Sequence, residues 1–341
     1  MAELLLAIGF ILAIAFTVVN GFHDASNANA LPIRFNALTP RVAVAMGAVF
    51  NVLGALTVGL VLTQLIPFDI PVPISTVGTV VIICTLVTAV AWNLLTWWWA
   101  MPASSTAAMS GGIIGSLVGA YAVGLAPDLA VHASTLWQLA LPIIVAPAIA
   151  FILAQVLVFV AVYLARHEAP GVVKRRSAVV QATGAAAIHF GHGIQHGRRA
   201  IWVFVVLLMC YGMFIPISHI PWWIPVLVGL CLGAGTLGGG WRIAYTLSSR
   251  VVNLDPLRGA VAQTVAGSLL FIGGFLTLFP MSTSQTSTAA ILGAGTLQRF
   301  RTVYHRTLVQ VLVTWAVTIP VCAVIAGTLF LAASPLLQLG A

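Results

Sequence analysis

Charge is what this sequence has least of. Of 341 residues only 6% are Asp, Glu, Lys or Arg, and six of those are acidic. Between Arg41 and Arg166 the only charged residues are Asp69 and Asp128, between Arg199 and Arg242 there are none, and none follows Arg306. A soluble domain carries about 25% charged residues, so a water-soluble enzyme or binding module is excluded. With 61% hydrophobic residues and a mean hydropathy of +1.10, the chain reads as an all-α polytopic membrane protein, since lipid leaves the backbone to satisfy its own hydrogen bonds. Cysteine is scarce as well. Cys84, Cys210, Cys231 and Cys322 stand singly in apolar runs, which excludes a disulfide framework or a zinc knuckle. The net charge of +8 implies no nucleic-acid partner, because the basic residues fall into loop clusters: Arg34/Arg41, Arg166/Lys174/Arg175/Arg176 and Arg299/Arg301/Arg306. That is the pattern of cytoplasmic connections. The chain begins Met-Ala-Glu, without a basic n-region, so its first apolar run reads as a span and not as a cleaved signal.

Against this background the polar stretch Asn20–Ala30 stands out. It follows the apolar run Leu4–Val19 and contains His23, Asp24, Asn27 and Asn29. A charged group inside a membrane costs roughly 2.5–3.5 kcal/mol even on a lenient scale, so Asp24 requires a cation, a proton or a polar cavity. The small residues Gly21, Ala25, Ala28 and Ala30 favour close helix packing over a solvated loop.

The chain divides into a first transmembrane repeat (1–165), a cytoplasmic basic linker (166–177) and a second transmembrane repeat (178–341). Each half opens with an interrupted helix, at Asn20–Ala30 and at His192–Arg199. Later in each half a proline precedes a hydroxyl cluster, Pro102-Ala-Ser104-Ser105-Thr106 and Pro280-Met-Ser282-Thr283-Ser284. Interrupted segments at corresponding places point to a transporter site at the interface of two inverted repeats. Sidedness agrees: a cytoplasmic mid-chain loop puts Arg34/Arg41, Arg242–Arg258 and the third cluster inside, with Asp69 and Asp128 outside. Residues 76–123 and 260–297 form either re-entrant hairpins or pairs of full spans. Both prolines mark helix starts, where free N–H groups and a partial positive charge make an anion site.

Gly21-Phe-His-Asp-Ala-Ser-Asn-Ala resembles the first signature of the inorganic phosphate transporter (Pit/PiT) family. Asn93-Leu-Leu-Thr-Trp with Pro102-Ala-Ser-Ser-Thr resembles that family's first hairpin. Pro280-Met-Ser-Thr-Ser, flanked by Gln263 and by Leu297-Gln298-Arg299, resembles its second. The resemblance covers essentially the whole chain. It implies secondary active uptake of inorganic phosphate with a co-transported proton or sodium ion, no other cofactor, inverted repeats and a homodimer in a bacterial inner membrane. It assigns Asp24 and Asn27 to a cation-and-substrate site, and Ser104, Ser105, Thr106, Ser282, Thr283 and Ser284 to phosphate.

One departure matters. Where the family's second signature reads His-Gly-Ala-Asn-Asp, this chain has His192-Gly193-Ile194-Gln195-His196, with Arg198 and Arg199 close behind. At about 5 Å and an effective dielectric of about 20, each unit of charge so changed is worth roughly 3 kcal/mol. This disfavours a two-sodium scheme and favours a proton carried through Asp24 with His23 or His196. Gln195 and Arg198 join the expected substrate set, the alternative for both arginines being to snorkel to a membrane face. Three rival readings follow: a sulfate or other tetrahedral oxyanion permease of the same fold, a passive anion channel, and an intramembrane metal hydrolase using His189, His192 and His196, which lacks a nearby carboxylate. Trp97–Trp99 and Trp222/Trp223 read as interfacial belts.

Overall fold

The computed structural model describes residues 2–66, 72–126, 133–216, 220–275, 281–296, 298 and 303–338, the side chains of 133–143 and 338 aside. Asp69, Asp128, Pro280, Leu297, Arg299 and Arg301, all singled out above, lie outside the described residues. The described chain is helical: α1 (Ala2–Arg34), α2 (Pro40–Leu56, prolonged by a π turn, Thr57–Val61), α3 (Thr76–Trp98), α4 (Ser105–Ala122), α5 (Ala133–Ala165), α6 (Pro170–Cys210), α7 (Trp223–Leu237), α8 (Trp241–Tyr245), α9 (Pro256–Phe275), α10 (Thr283–Thr296) and α11 (His305–Gln338). Among the described residues five helices are long and apolar enough to cross a bilayer, and the bent pair Trp223–Leu237 and Trp241–Arg250 makes a sixth if taken as one span.

The principal packing pairs come in matching sets. α4 lies along α11 as α10 lies along α5; α3 pairs with α1 as α9 pairs with α6; α2 rests on α6 as α7 rests on α1. Taken in order, α1–α5 thus match α6, α7, α9, α10 and α11. Outward-facing residues such as Ile11, Val156, Phe159, Leu164 and Val324 are exposed and apolar, while Asn20, His23, Asp24, Asn27, His192, Gln195 and His196 are buried. The polar groups occupy the middle and the hydrocarbon the outside, the arrangement that lipid demands.

The helices that open the two halves are not interrupted. α1 runs unbroken through Asn20–Ala30, and α6 through His192–Arg199. The expectation of broken helices there fails because the polar side chains find partners on other helices, so the backbone need not open. The glycines serve close approach. A Cβ on Gly193 would lie 2.4 Å from the Asn51 carbonyl oxygen, one on Gly54 would lie 2.3 Å from that of Phe190, and one on Gly21 would lie 2.3 Å from that of Leu232. Gly193→Ala must therefore push α2 from α6, at an expected cost of about 1–3 kcal/mol from overpacking. A lowered melting temperature in detergent checks this, and an unshifted one would show that the two helices part freely.

The breaks fall instead at the hairpin tips. α3 and α4 run antiparallel, with Thr85 against Gly112, and their tip contains Ala100 in the left-handed region at φ 57°. Ser104 caps α4, its Oγ accepting from the Ala107 N–H at 3.1 Å. Ser282 stands equivalently before α10, accepting from the Gln285 N–H at 3.4 Å. Each cap lies two residues after the proline of its cluster, as expected of a helix start. Trp315 Nε1 donates to the Pro102 carbonyl at 2.9 Å and ties the first tip to α11. Between the halves, Pro170 already begins α6, so much of the basic segment 166–177 is helical.

Candidate functional site

On α1, Asn20, His23, Asp24 and Asn27 recur at three and four residues and so share a face. On α6, His192, His196 and Arg199 do the same. The two faces meet. Asp24 Oδ1 accepts from His23 Nδ1 at 2.9 Å and from Ser284 Oγ at 3.0 Å, and Ser284 Oγ accepts from Asn27 Nδ2 at 2.9 Å. Asp24 Oδ2 lies 3.4 Å from His192 Nε2 and 3.5 Å from His196 Nε2. His196 Nδ1 is in close hydrogen-bond contact with the Asn20 carboxamide, whose oxygen accepts from Ser105 Oγ at 3.3 Å. One polar chain therefore runs Ser105–Asn20–His196–Asp24–Ser284–Asn27. It joins the N-termini of α4 and α10 through a single carboxylate.

The other expected residues sort by contact. Thr106 Oγ1 accepts from an Arg199 guanidinium N–H, and Arg199 Nε donates to the Gln195 carbonyl at 3.1 Å. Arg198, only 4% exposed, does not reach a membrane face, and it makes no hydrogen bond to a described residue. Gln195 turns aside to α9, where its Nε2 donates to the Leu270 carbonyl at 3.3 Å. His189 stands apart from the other two histidines. Its Nε2 lies 3.0 Å from Asn29 Oδ1 and its Nδ1 3.3 Å from Asn51 Nδ2. The view that no carboxylate lies near the histidine triplet is corrected here, because Asp24 reaches His192 and His196 from another helix. These three are, among the described residues, the group whose ligand atoms lie close enough to hold a metal ion, all within 4.8 Å of one another.

Several buried polar atoms in this region make no hydrogen bond: Asn27 Oδ1, Thr283 Oγ1, Gln195 Oε1, one Arg199 nitrogen and the Nε2 atoms of His192 and His196. Orphaned buried polar atoms are uncommon and call for an explanation. Here donors and acceptors cluster where two helix N-termini and a guanidinium converge, a combination that suits a polar, anionic guest. Trp97, expected in an interfacial belt, packs against Phe22 with ring centroids 5.1 Å apart. Arg242 lies over Trp97 and Trp98 and donates to the Trp98 carbonyl at 3.1 Å, closing the end of α3.

A family model described as the phosphate transporter family matches residues 20–326. The chain belongs to the phosphate transporter family. The matched region contains the motifs of α1, both hairpins and the altered signature on α6, so the family resemblance read from the sequence is borne out. Two relatives carry the description "probable low-affinity inorganic phosphate transporter". The one from Rhizobium meliloti (strain 1021) is 32% identical over 333 residues, covering 96% of each chain. The one from Bacillus subtilis (strain 168) is 32% identical over 314 residues, covering 92% of each. A solved structure titled "The sodium-dependent phosphate transporter" shares the fold, with a TM-score of 0.76 at 16% identity over 97% of this chain and 99% of that one. The family consists of transporters, and the intramembrane hydrolase reading lapses.

Sequence reasoning underrated four residues. Asn51, a lone carboxamide in apolar α2, accepts from His192 Nδ1 at 2.7 Å. Thr96 Oγ1 lies 3.3 Å from His23 Nε2. Asn20 links the first hairpin to His196, and Arg199 rather than Arg198 meets that hairpin's hydroxyl. Asn51 interrupts an apolar run, and that was its signal; Asn20, Thr96 and Arg199 lie within stretches already singled out in the sequence.

Proposed function

We propose that this protein imports inorganic phosphate across a bacterial cytoplasmic membrane by symport with a cation, a proton in preference to sodium. The observation that carries this reading is the single carboxylate of Asp24, tied to both hairpin N-termini and surrounded by three imidazoles. Phosphate would be gripped by the N–H groups and hydroxyls of α4 and α10, namely Ser105, Thr106, Thr283 and Ser284, with Arg199 supplying the countercharge. Ser104 and Ser282 hold the helix starts in place, and Asn27 orients Ser284. Arg198 and Gln195 border the site.

A buried carboxylate beside imidazoles suits a proton, because their shared hydrogen bonds change with one proton and with no change in ligand number. Sodium prefers a cage of oxygens, and here His196 stands where the family has a second acid. Phosphate is favoured over sulfate because hydrogen phosphate has a proton to donate toward Asp24, whereas sulfate would face that charge unpaired.

The two halves, 1–165 and 178–341 about the linker 166–177, are read as inverted repeats alternating around this site, and the transporter as a homodimer. The matched packing pairs support the repeat. Radiolabelled phosphate uptake into proteoliposomes, with proton and sodium gradients imposed separately, tests the coupling. Accumulation is expected with an inward proton gradient and not with sodium alone. Accumulation with sodium alone would contradict the coupling, and uptake of sulfate but not phosphate would contradict the substrate.

A further inference from the structure

The hydrogen bonds around His192 fix its tautomer. Thr236 Oγ1 donates to the Leu232 carbonyl at 2.8 Å, so toward Asn51 it acts as an acceptor, and Asn51 Nδ2 donates to it at 2.8 Å. The oxygen of Asn51 must then face His192 Nδ1, at 2.7 Å, and Nδ1 carries the hydrogen. His192 Nε2 is left with a bare lone pair, buried, and aimed at Asp24 Oδ2 3.4 Å away. Two electron-rich atoms at that distance repel unless a positive species lies between them. His196 Nε2 points at the same oxygen from 3.5 Å and makes no hydrogen bond.

These separations have a chemical meaning. A tetrahedral ion with bonds of about 2.0–2.1 Å to nitrogen and oxygen holds its ligand atoms roughly 3.3–3.4 Å apart. Both nitrogen-to-carboxylate distances are close to that edge. The histidines stand one turn apart on α6, with rings stacked at 4.2 Å, and the acid comes from α1. Each ring has an outer partner of the kind that metal-bound histidines use to fix their tautomer: Asn51 for His192 and Asn20 for His196. A half-turn of the Asn20 carboxamide presents its oxygen to His196 Nδ1 and its amide to Ser105 Oγ, and frees Nε2 to ligate. The close packing of Gly193 on Asn51 and of Gly54 on Phe190 holds α2 and α6 in register.

We propose that Asp24 Oδ2, His192 Nε2 and His196 Nε2 form a binding site for a divalent transition-metal ion of the zinc class, with a fourth coordination position left open. Two imidazoles and one carboxylate suit zinc or cobalt, whereas magnesium and calcium select oxygen ligands. The proposal stands independently of which ion drives transport, although an ion held here takes the position that the coupling proton would occupy.

Calorimetric titration of the purified full-length protein in detergent and phosphate-free buffer, with zinc chloride as the probe, tests it. One ion per chain is expected. Affinity should fall by at least about 100-fold in His192→Ala and in His196→Gln, and by about 10–100-fold in Asn51→Ala, which removes only an outer partner. Cobalt(II) added to the wild type should give the intense visible bands of four-coordinate nitrogen–oxygen ligation, a readout that needs no variant to fold. Absence of saturable zinc binding, absence of those bands, or undiminished binding in both histidine variants would overturn the proposal. The last result would place the ion on an exposed histidine such as His167 or His305. None of these readouts depends on phosphate uptake, so failure here and failure of the transport reading are separable.

Discussion

Asp24→Asn is expected to lower gradient-driven phosphate uptake by roughly 10²–10³-fold, within the range that a positioned proton-transfer group contributes. Asparagine preserves the shape, and its Oδ1, with two lone pairs, can still accept both hydrogen bonds that the carboxylate oxygen receives from His23 and Ser284. It cannot carry the negative charge that His192 and His196 face across 3.4 and 3.5 Å, and it offers no site for a proton to bind and leave. The protein should therefore still fold and still bind phosphate, while accumulation against a gradient fails. Initial-rate uptake in proteoliposomes, alongside the melting temperature of the same preparation, measures both. Uptake within tenfold of wild type would remove Asp24 from the coupling route.

Arg199→Gln is expected to weaken phosphate affinity by about 10–100-fold, the value of one charge-assisted hydrogen bond of about 1.5–3 kcal/mol. Its guanidinium is held from below by the Gln195 carbonyl, meets Thr106 at the first residues of α4, and keeps one nitrogen without a partner. Arg198→Gln is the paired control. Arg198 is buried but makes no hydrogen bond to the hairpin, so its loss should lower the melting temperature more than the affinity. Equilibrium binding of labelled phosphate to both purified variants separates the two roles. A larger affinity loss in Arg198→Gln would return the anion contact to that residue.

Much of this architecture was legible in the sequence because its causes are local. The starts of α4 and α10 follow from a proline and a serine two residues later. The spans follow from apolar runs, and the demand for a partner at Asp24 follows from one acid among so many apolar neighbours. What escaped was decided between helices distant in the chain. The continuity of α1 and α6 could not be read, since Asn20 is satisfied by Ser105 and His196, and His192 by Asn51, none of them near in sequence. The glycines at 191 and 193, set against Leu270 and Asn51, are what lets three helices touch. Likewise the histidine triplet looked like a unit at helical spacing. The tertiary fold divided it, sending His189 to Asn29 and Asn51 while Asp24 joined the other two.

The central claim is that the N-termini of α4 and α10 grip one anion beside Asp24. An experimental density map of the phosphate-loaded protein tests it most directly. One tetrahedral density is expected in hydrogen-bonding reach of Ser105 or Thr106 on one side and Thr283 or Ser284 on the other, with Arg199 turned toward it. Phosphate density held by one hairpin alone, or lying away from Asp24, would contradict it.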